Sequence, residues 1–135
     1  HSFPTRRSSD LMLNEGTRLE FDAENIEPIT SFAESRKDLV KSISDAKDSE
    51  EETCYYLKLK TPKVSVYNDR INKRFTVEYT PETLGEFTEW KSMASGDYAL
   101  GLEPCTTRFG KDFAYKTLAS GESVTFGITL SVEKF

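Results

Sequence analysis

The alternation of residue types that begins at residue 53 constrains the fold of this chain more than any other feature. Tyr55, Leu57 and Leu59 alternate with Tyr56, Lys58 and Lys60, and Phe75, Val77 and Tyr79 alternate with Thr76 and Glu78. Near the end, Val124, Phe126, Ile128, Leu130 and Val132 alternate with Thr125, Gly127, Thr129 and Ser131. A period of two sends successive side chains to opposite faces of an extended backbone. One apolar face and one polar face is the pattern of antiparallel strands, since parallel sheets are covered on both sides. Asn68-Asp69, Pro81, Ser95-Gly96 and Ser120-Gly121 fall between the runs and supply turn chemistry. The expected fold class is therefore mainly β, an antiparallel β-sandwich or part of one. Val124, Phe126, Ile128, Leu130 and Val132 are expected to share one of its buried faces.

Residues 11–50 read differently. Asn14-Glu15-Gly16 signals a turn, ahead of a short strand candidate over residues 18–21. Leu39, Ile43 and Ala46 recur at helical spacing within residues 35–47, which predicts at most one short helix. The run DAKDSEEE, residues 45–52, reads as a solvated loop.

The first ten residues, HSFPTRRSSD, stand apart. They resemble the end of a short-read sequencing adapter translated in frame, whose two leftover bases force a leucine at Leu11. Residues 1–10 are accordingly read as an adapter-derived artefact, and residues 11–135 as the domain. A basic arm reaching phosphates through Arg6 and Arg7 is the competing reading, and two arginines make a poor nucleic-acid footprint.

The whole chain carries a net charge of −5. Without Arg6, Arg7 and Asp10 it holds 16 basic and 22 acidic residues, a net of −6. That acidity argues against nucleic acid or an anionic membrane as partner, and no apolar run approaches the length of a membrane span. Cys54 and Cys105 fit no metal spacing and read as two buried free thiols, which points to a cytoplasmic protein.

The segment richest in chemistry is DYALGLEPCTTR, residues 97–108. In a strand, Tyr98, Leu100 and Leu102 face apolar packing, while Ala99, Gly101 and Glu103 face the other way. A glycine within a strand marks close approach by a ligand or another backbone. Pro104 lacks an amide hydrogen and holds Glu103 extended, so the strand ends there. A carboxylate at a strand end beside a floor of small residues can serve as a general base. An ordinary surface glutamate gives the same pattern. Trp90 offers a flat apolar ring for sugar C–H groups or for packing. Lys91 and Arg108 are candidate donors to ligand hydroxyls or plain surface charges. At least one of Tyr55 and Tyr56 is expected in the core, Met93 is expected to pack, and Glu86 and Glu89 have no evident motif.

The passage EWKSMASGDYALGLEPCTTR resembles the C-terminal signature of the galactose mutarotase-like (aldose 1-epimerase) superfamily, most closely an uncharacterised branch carrying W-K…G-x-Y-x-L-G-x-E-P. LMLNEGTRLEF, EETCYYLKLK and LASGESVTFGITLSV are similar to other stretches of that branch, so the resemblance runs over essentially all of 11–135. Cys105-Thr106-Thr107 depart from relatives that place a small residue and Asn after Glu-Pro. The resemblance implies the C-terminal, incomplete part of a galactose mutarotase-like supersandwich. It also implies interconversion of sugar anomers by acid/base ring opening in the full-length parent, a small-molecule sugar as partner, and no metal or organic cofactor. By the same resemblance Glu103 matches the general base and Trp90 a sugar-stacking ring, while the histidines that protonate the ring oxygen belong to sequence upstream. The fragment by itself is expected to be inactive. The alternative reading is a non-catalytic carbohydrate-binding β-sandwich. Neither fixes the sugar or the oligomeric state.

Overall fold

The computed structural model describes residues 12–110 and 113–135. The adapter reading of residues 1–10, and with it Leu11, falls outside the described residues. Eight strands follow one another among the described residues: β1 (Arg18–Glu20), β2 (Ala23–Pro28), β3 (Thr53–Leu59), β4 (Lys63–Asn68), β5 (Lys73–Tyr79), β6 (Glu86–Ala94), β7 (Asp97–Cys105) and β8 (Ile128–Lys134). They form two four-stranded sheets in the orders β1-β4-β5-β8 and β2-β3-β6-β7. All pairings within them are antiparallel. The period-two reading thus gives the right class: a mainly β, two-sheet antiparallel sandwich.

Between the sheets lies a core of Leu19, Val64 and Val66 from one side and Tyr55, Leu57, Phe87 and Met93 from the other. Tyr98, Leu100 and Leu102 pack against it half-buried, on the inward face expected for them. Tight turns set the register on which the site depends. Ala94 pairs with Asp97 across Ser95-Gly96, and the left-handed backbone at Gly96 (φ +88°) suits a glycine. That two-residue turn leaves no freedom to slip, so Trp90 faces Gly101 and Thr88 faces Glu103 across the strands.

The helical expectation for residues 35–47 needs correction. The α-helix, α1, is Ser31–Ser35, and a 3-10 turn follows at Lys37–Leu39. Thr30 starts α1 by accepting the Ala33 amide on Oγ1 at 3.0 Å. Tertiary partners then take the backbone groups a longer helix would use. The Leu19 amide donates to the Lys41 carbonyl at 2.8 Å, and the Ile43 amide to the Thr17 carbonyl at 3.1 Å. Residues 45–52 are mostly exposed, as a solvated loop should be, although Lys47 is tied to the end of β6 through Met93 and Ser95.

The second correction concerns the C-terminal run. Residues 124–127 are not in a strand, and Val124, Phe126, Ile128, Leu130 and Val132 are 44–63% exposed. Ile128, Leu130 and Val132 do share a face with their β5 partners Tyr79, Val77 and Phe75. Ile128 and Leu130 border an open trough of about 480 Å³ between the sheets, together with Met12, Leu13, Leu100, Leu102 and Pro104. The alternation holds for Ile128, Leu130 and Val132 and not for Val124 and Phe126, and among the described residues no second layer covers the β8 end. Among the described residues, no helix is long and apolar enough to cross a membrane.

Candidate functional site

Directly paired residues of neighbouring antiparallel strands share a face. Tyr56 of β3, Thr88 of β6 and Glu103 of β7 therefore form one row across the outer face of the second sheet. Cys54, Trp90 and Gly101 form the next row. The bare position at Gly101 is occupied from above. A Cβ added there would lie 2.9 Å from Glu103 Oε1 and 3.5 Å from Trp90 Cβ. The Glu103 carboxylate thus folds back over the glycine, on the side where the Trp90 Cβ also approaches it, and Glu103 is exposed on this face.

Two further groups border the indole. Trp90 Nε1 donates a hydrogen bond to Glu52 Oε2 at 2.9 Å. The Cys54 thiol, paired with Trp90 across the strands, is pushed up to about 11, first by burial and then by the charges of Glu103 and Glu52. Both carboxylates therefore act on the ground between them. Cys54 and Cys105 are free thiols, each half-buried rather than buried as expected.

Arg108 closes one end of the face. Its guanidinium pairs with Glu27, lies 3.7 Å from Glu86 Oε2 through Nε, and stacks over the Tyr56 ring at 4.2 Å. The Tyr56 hydroxyl accepts the Phe109 amide at 3.0 Å, which holds the loop after β7 above the sheet. Phe109 is left 89% exposed there.

Lys91 does not lie on this outer face, and the expectation of a ligand contact for it there is corrected on geometry. It faces Thr53 and Leu100 across the strands and so lies on the core side of the sheet. Its Nζ donates to the carbonyls of Leu39 (3.0 Å), Val40 (3.3 Å) and Ser42 (2.8 Å). Beside it Glu89 is fully buried, its carboxylate oxygens without hydrogen-bond partners among the described residues and Lys91 Nζ 3.9 Å away. Burial raises the Glu89 carboxyl to about 7 and lowers the Lys91 ammonium, and each opposes the shift of the other.

Sequence reasoning missed Glu52 and gave Tyr56 no role on this face. The signal for Glu52 was the alternation itself: extending the parity of Cys54 and Tyr56 back by two residues reaches it.

Residues 11–132 match the model of a family described as Domain of unknown function (DUF4432). The sequence matches none of the curated proteins. Among solved structures, the fold is similar to the crystal structure of a "putative aldose 1-epimerase" from Klebsiella pneumoniae, with a TM-score of 0.76 and 21% identity. The match covers 89% of this chain, which spans 35% of the length of that one. At that identity the likeness is one of fold.

Proposed function

The chain belongs to the DUF4432 family, and from that premise we propose that the outer face of β2-β3-β6-β7 is a sugar-binding surface of an aldose 1-epimerase-like protein. The reading is carried by the juxtaposition of Glu103, Gly101 and Trp90. A carboxylate held above a bare strand position, which faces a tryptophan across the strands, offers a proton acceptor on the same face as a ring on which sugar C–H groups stack. The epimerase-like fold supports the same reading.

In the complete protein Glu103 takes the proton from the anomeric hydroxyl of a free sugar. The electron pair left on that oxygen forms the C1 carbonyl as the bond from C1 to the ring oxygen breaks, and an acid supplied from elsewhere protonates the ring oxygen. Rotation about the C1–C2 bond and the reverse transfers close the other anomer. The reaction consists of proton transfers between positioned groups, so orientation and charge are what the protein must provide. Trp90 positions the ring. Arg108, engaged by Glu27 and Glu86, shapes the end of the surface. Lys91 has no part in it, because its ammonium is spent on the core side of the sheet.

A second reading, sugar binding without turnover, is favoured for this chain alone by one observation: its single histidine is His1, so the described residues offer no imidazole to act as the acid. The two readings separate on one experiment with the complete protein. Anomer exchange of neutral aldoses is followed by NMR, alongside calorimetric binding. Exchange above the buffer rate supports the enzyme, and saturable binding without exchange supports the binding module.

A further inference from the structure

We propose that Glu52 is a positioning residue of the sugar surface, fixing the indole of Trp90 in the pose that a sugar meets; this rests on the reading that the face binds a sugar. Glu52 precedes β3 and shares the parity of Cys54, which faces Trp90 across the strands. Its Oε2 accepts the Nε1 hydrogen at 2.9 Å. A hydrogen bond to a carboxylate is about twice as strong as one between neutral groups. An indole has one polar hydrogen, so turning the ring over on its side-chain bond carries Nε1 away from the acceptor. The bond to Glu52 therefore selects one of the two ring orientations.

The other side of the ring is constrained too. Trp90 Cβ lies within 3.5 Å of the position a Gly101 Cβ would take, and Glu103 Oε1 covers the same glycine. Trp90 thus sits with one carboxylate on its nitrogen edge and the other beside its root. The influence of both charges on the Cys54 thiol agrees with this placement. Ordering the ring before the ligand arrives reduces the entropy lost on binding. Glu52 makes no direct claim on the sugar; it acts through Trp90.

The chain holds one tryptophan, so its indole Nε1–H gives a single NMR signal. The test compares wild type, Glu52→Ala and Glu52→Gln by that signal and by titration with D-glucose and D-galactose. Glu52 is exposed, so neither substitution should lower the melting temperature appreciably. In Glu52→Ala the indole signal should move and broaden, and affinity for the sugar that binds should fall about three- to tenfold. Glu52→Gln retains an acceptor, and should bring both readouts back near wild type. A merely structural role would not be rescued in this way. An unmoved indole signal and unchanged affinity in Glu52→Ala, with a wild type that binds sugar, would overturn this inference alone. A wild type that binds neither sugar, while the indole signal still responds, would overturn the sugar reading together with the role given to Glu52.

Discussion

The carboxylate of Glu103 occupies the space that a side chain at Gly101 would need. A Cβ on Gly101 would stand 2.9 Å from Oε1 and 3.4 Å from Cδ of Glu103. Residues two apart on one face of a strand are neighbours, and here the larger bends back over the smaller. The glycine is the condition for the pose of the glutamate. Gly101→Ala should therefore push the Glu103 carboxylate off its present position. The obstructing atoms are the end of a flexible side chain, so folding should change by less than about 1 kcal/mol, partly offset by the better strand preference of alanine. Under the proposed reading anomer exchange should fall far more, by up to about 100-fold, because displacement of a reacting group by an ångström has that effect. A melting curve and an anomer-exchange rate on the same variant check the split.

A second prediction uses Cys54 as a sensor of charge on this face. Its thiol is raised to about 11 by burial, with Glu103 the next cause and Glu52 after it. Glu103→Gln removes one of the negative charges opposing thiolate formation, so the thiol should titrate lower. In a Cys105→Ser background, alkylation by iodoacetamide at pH 9 should be faster in Glu103→Gln than in its parent. Equal rates would place the Glu103 charge too far from Cys54 to matter.

How far the sequence could show this site depends on the strand considered. In β7, Leu100 and Leu102 against Gly101 and Glu103 made the two faces readable, and the structure keeps that assignment. In β6 the alternation was ambiguous. Phe87, Glu89, Lys91 and Met93 share the inner face, while Thr88, Trp90 and Ser92 share the outer one. Charges thus lie inside and the large indole outside, opposite to what hydropathy suggests. Only the register with β7 assigns them, and register is a tertiary fact. Lys91 was misplaced for that reason, and Glu89 looked unremarkable. The turn-rich segment between β2 and β3 was hidden similarly: Leu39, Ile43 and Ala46 have helical spacing, but the carbonyls of Leu39, Val40 and Ser42 are held by Lys91.

The buried Glu89 gives a pH dependence with a definite sign. Its carboxyl is raised to about 7 by burial, whereas in the unfolded chain it titrates at its ordinary value near 4.3. The folded protein therefore holds a proton that the unfolded chain has lost between about pH 4 and pH 7. Stability contributed by that proton is present below the unfolded value and declines as pH rises through the folded one. Glu89→Gln removes the titration while keeping the shape. It should match wild type near pH 4 and be more stable at pH 8, by roughly 1–3 kcal/mol. Denaturant melts at the two pH values measure the difference. A wild type that loses nothing relative to the variant across this range would contradict the assignment.

The open apolar strip on β8 predicts association. Ile128, Leu130 and Val132 are 53–63% exposed on one face of an edge strand, and Ile128 and Leu130 line the trough shared with β5 and β7. Exposed apolar edges pair with other chains. The chain as given should sediment as concentration-dependent oligomers and bind a hydrophobic dye. Leu130→Thr with Val132→Thr should reduce both while leaving the far-UV circular dichroism spectrum unchanged. A soluble wild-type monomer that binds no dye would show that the strip is not sticky.

We propose Glu103 as the proton acceptor of a sugar surface built on Gly101 and Trp90. The most direct test is anomer exchange in the complete protein, wild type against Glu103→Gln, with binding of the same sugar measured in parallel. The glutamine keeps size and hydrogen bonding but cannot accept the proton. Loss of one general base typically costs about 10²–10⁴ in rate. Exchange should fall by that much, with sugar affinity changed by less than about fivefold. Undiminished exchange in Glu103→Gln would contradict that assignment.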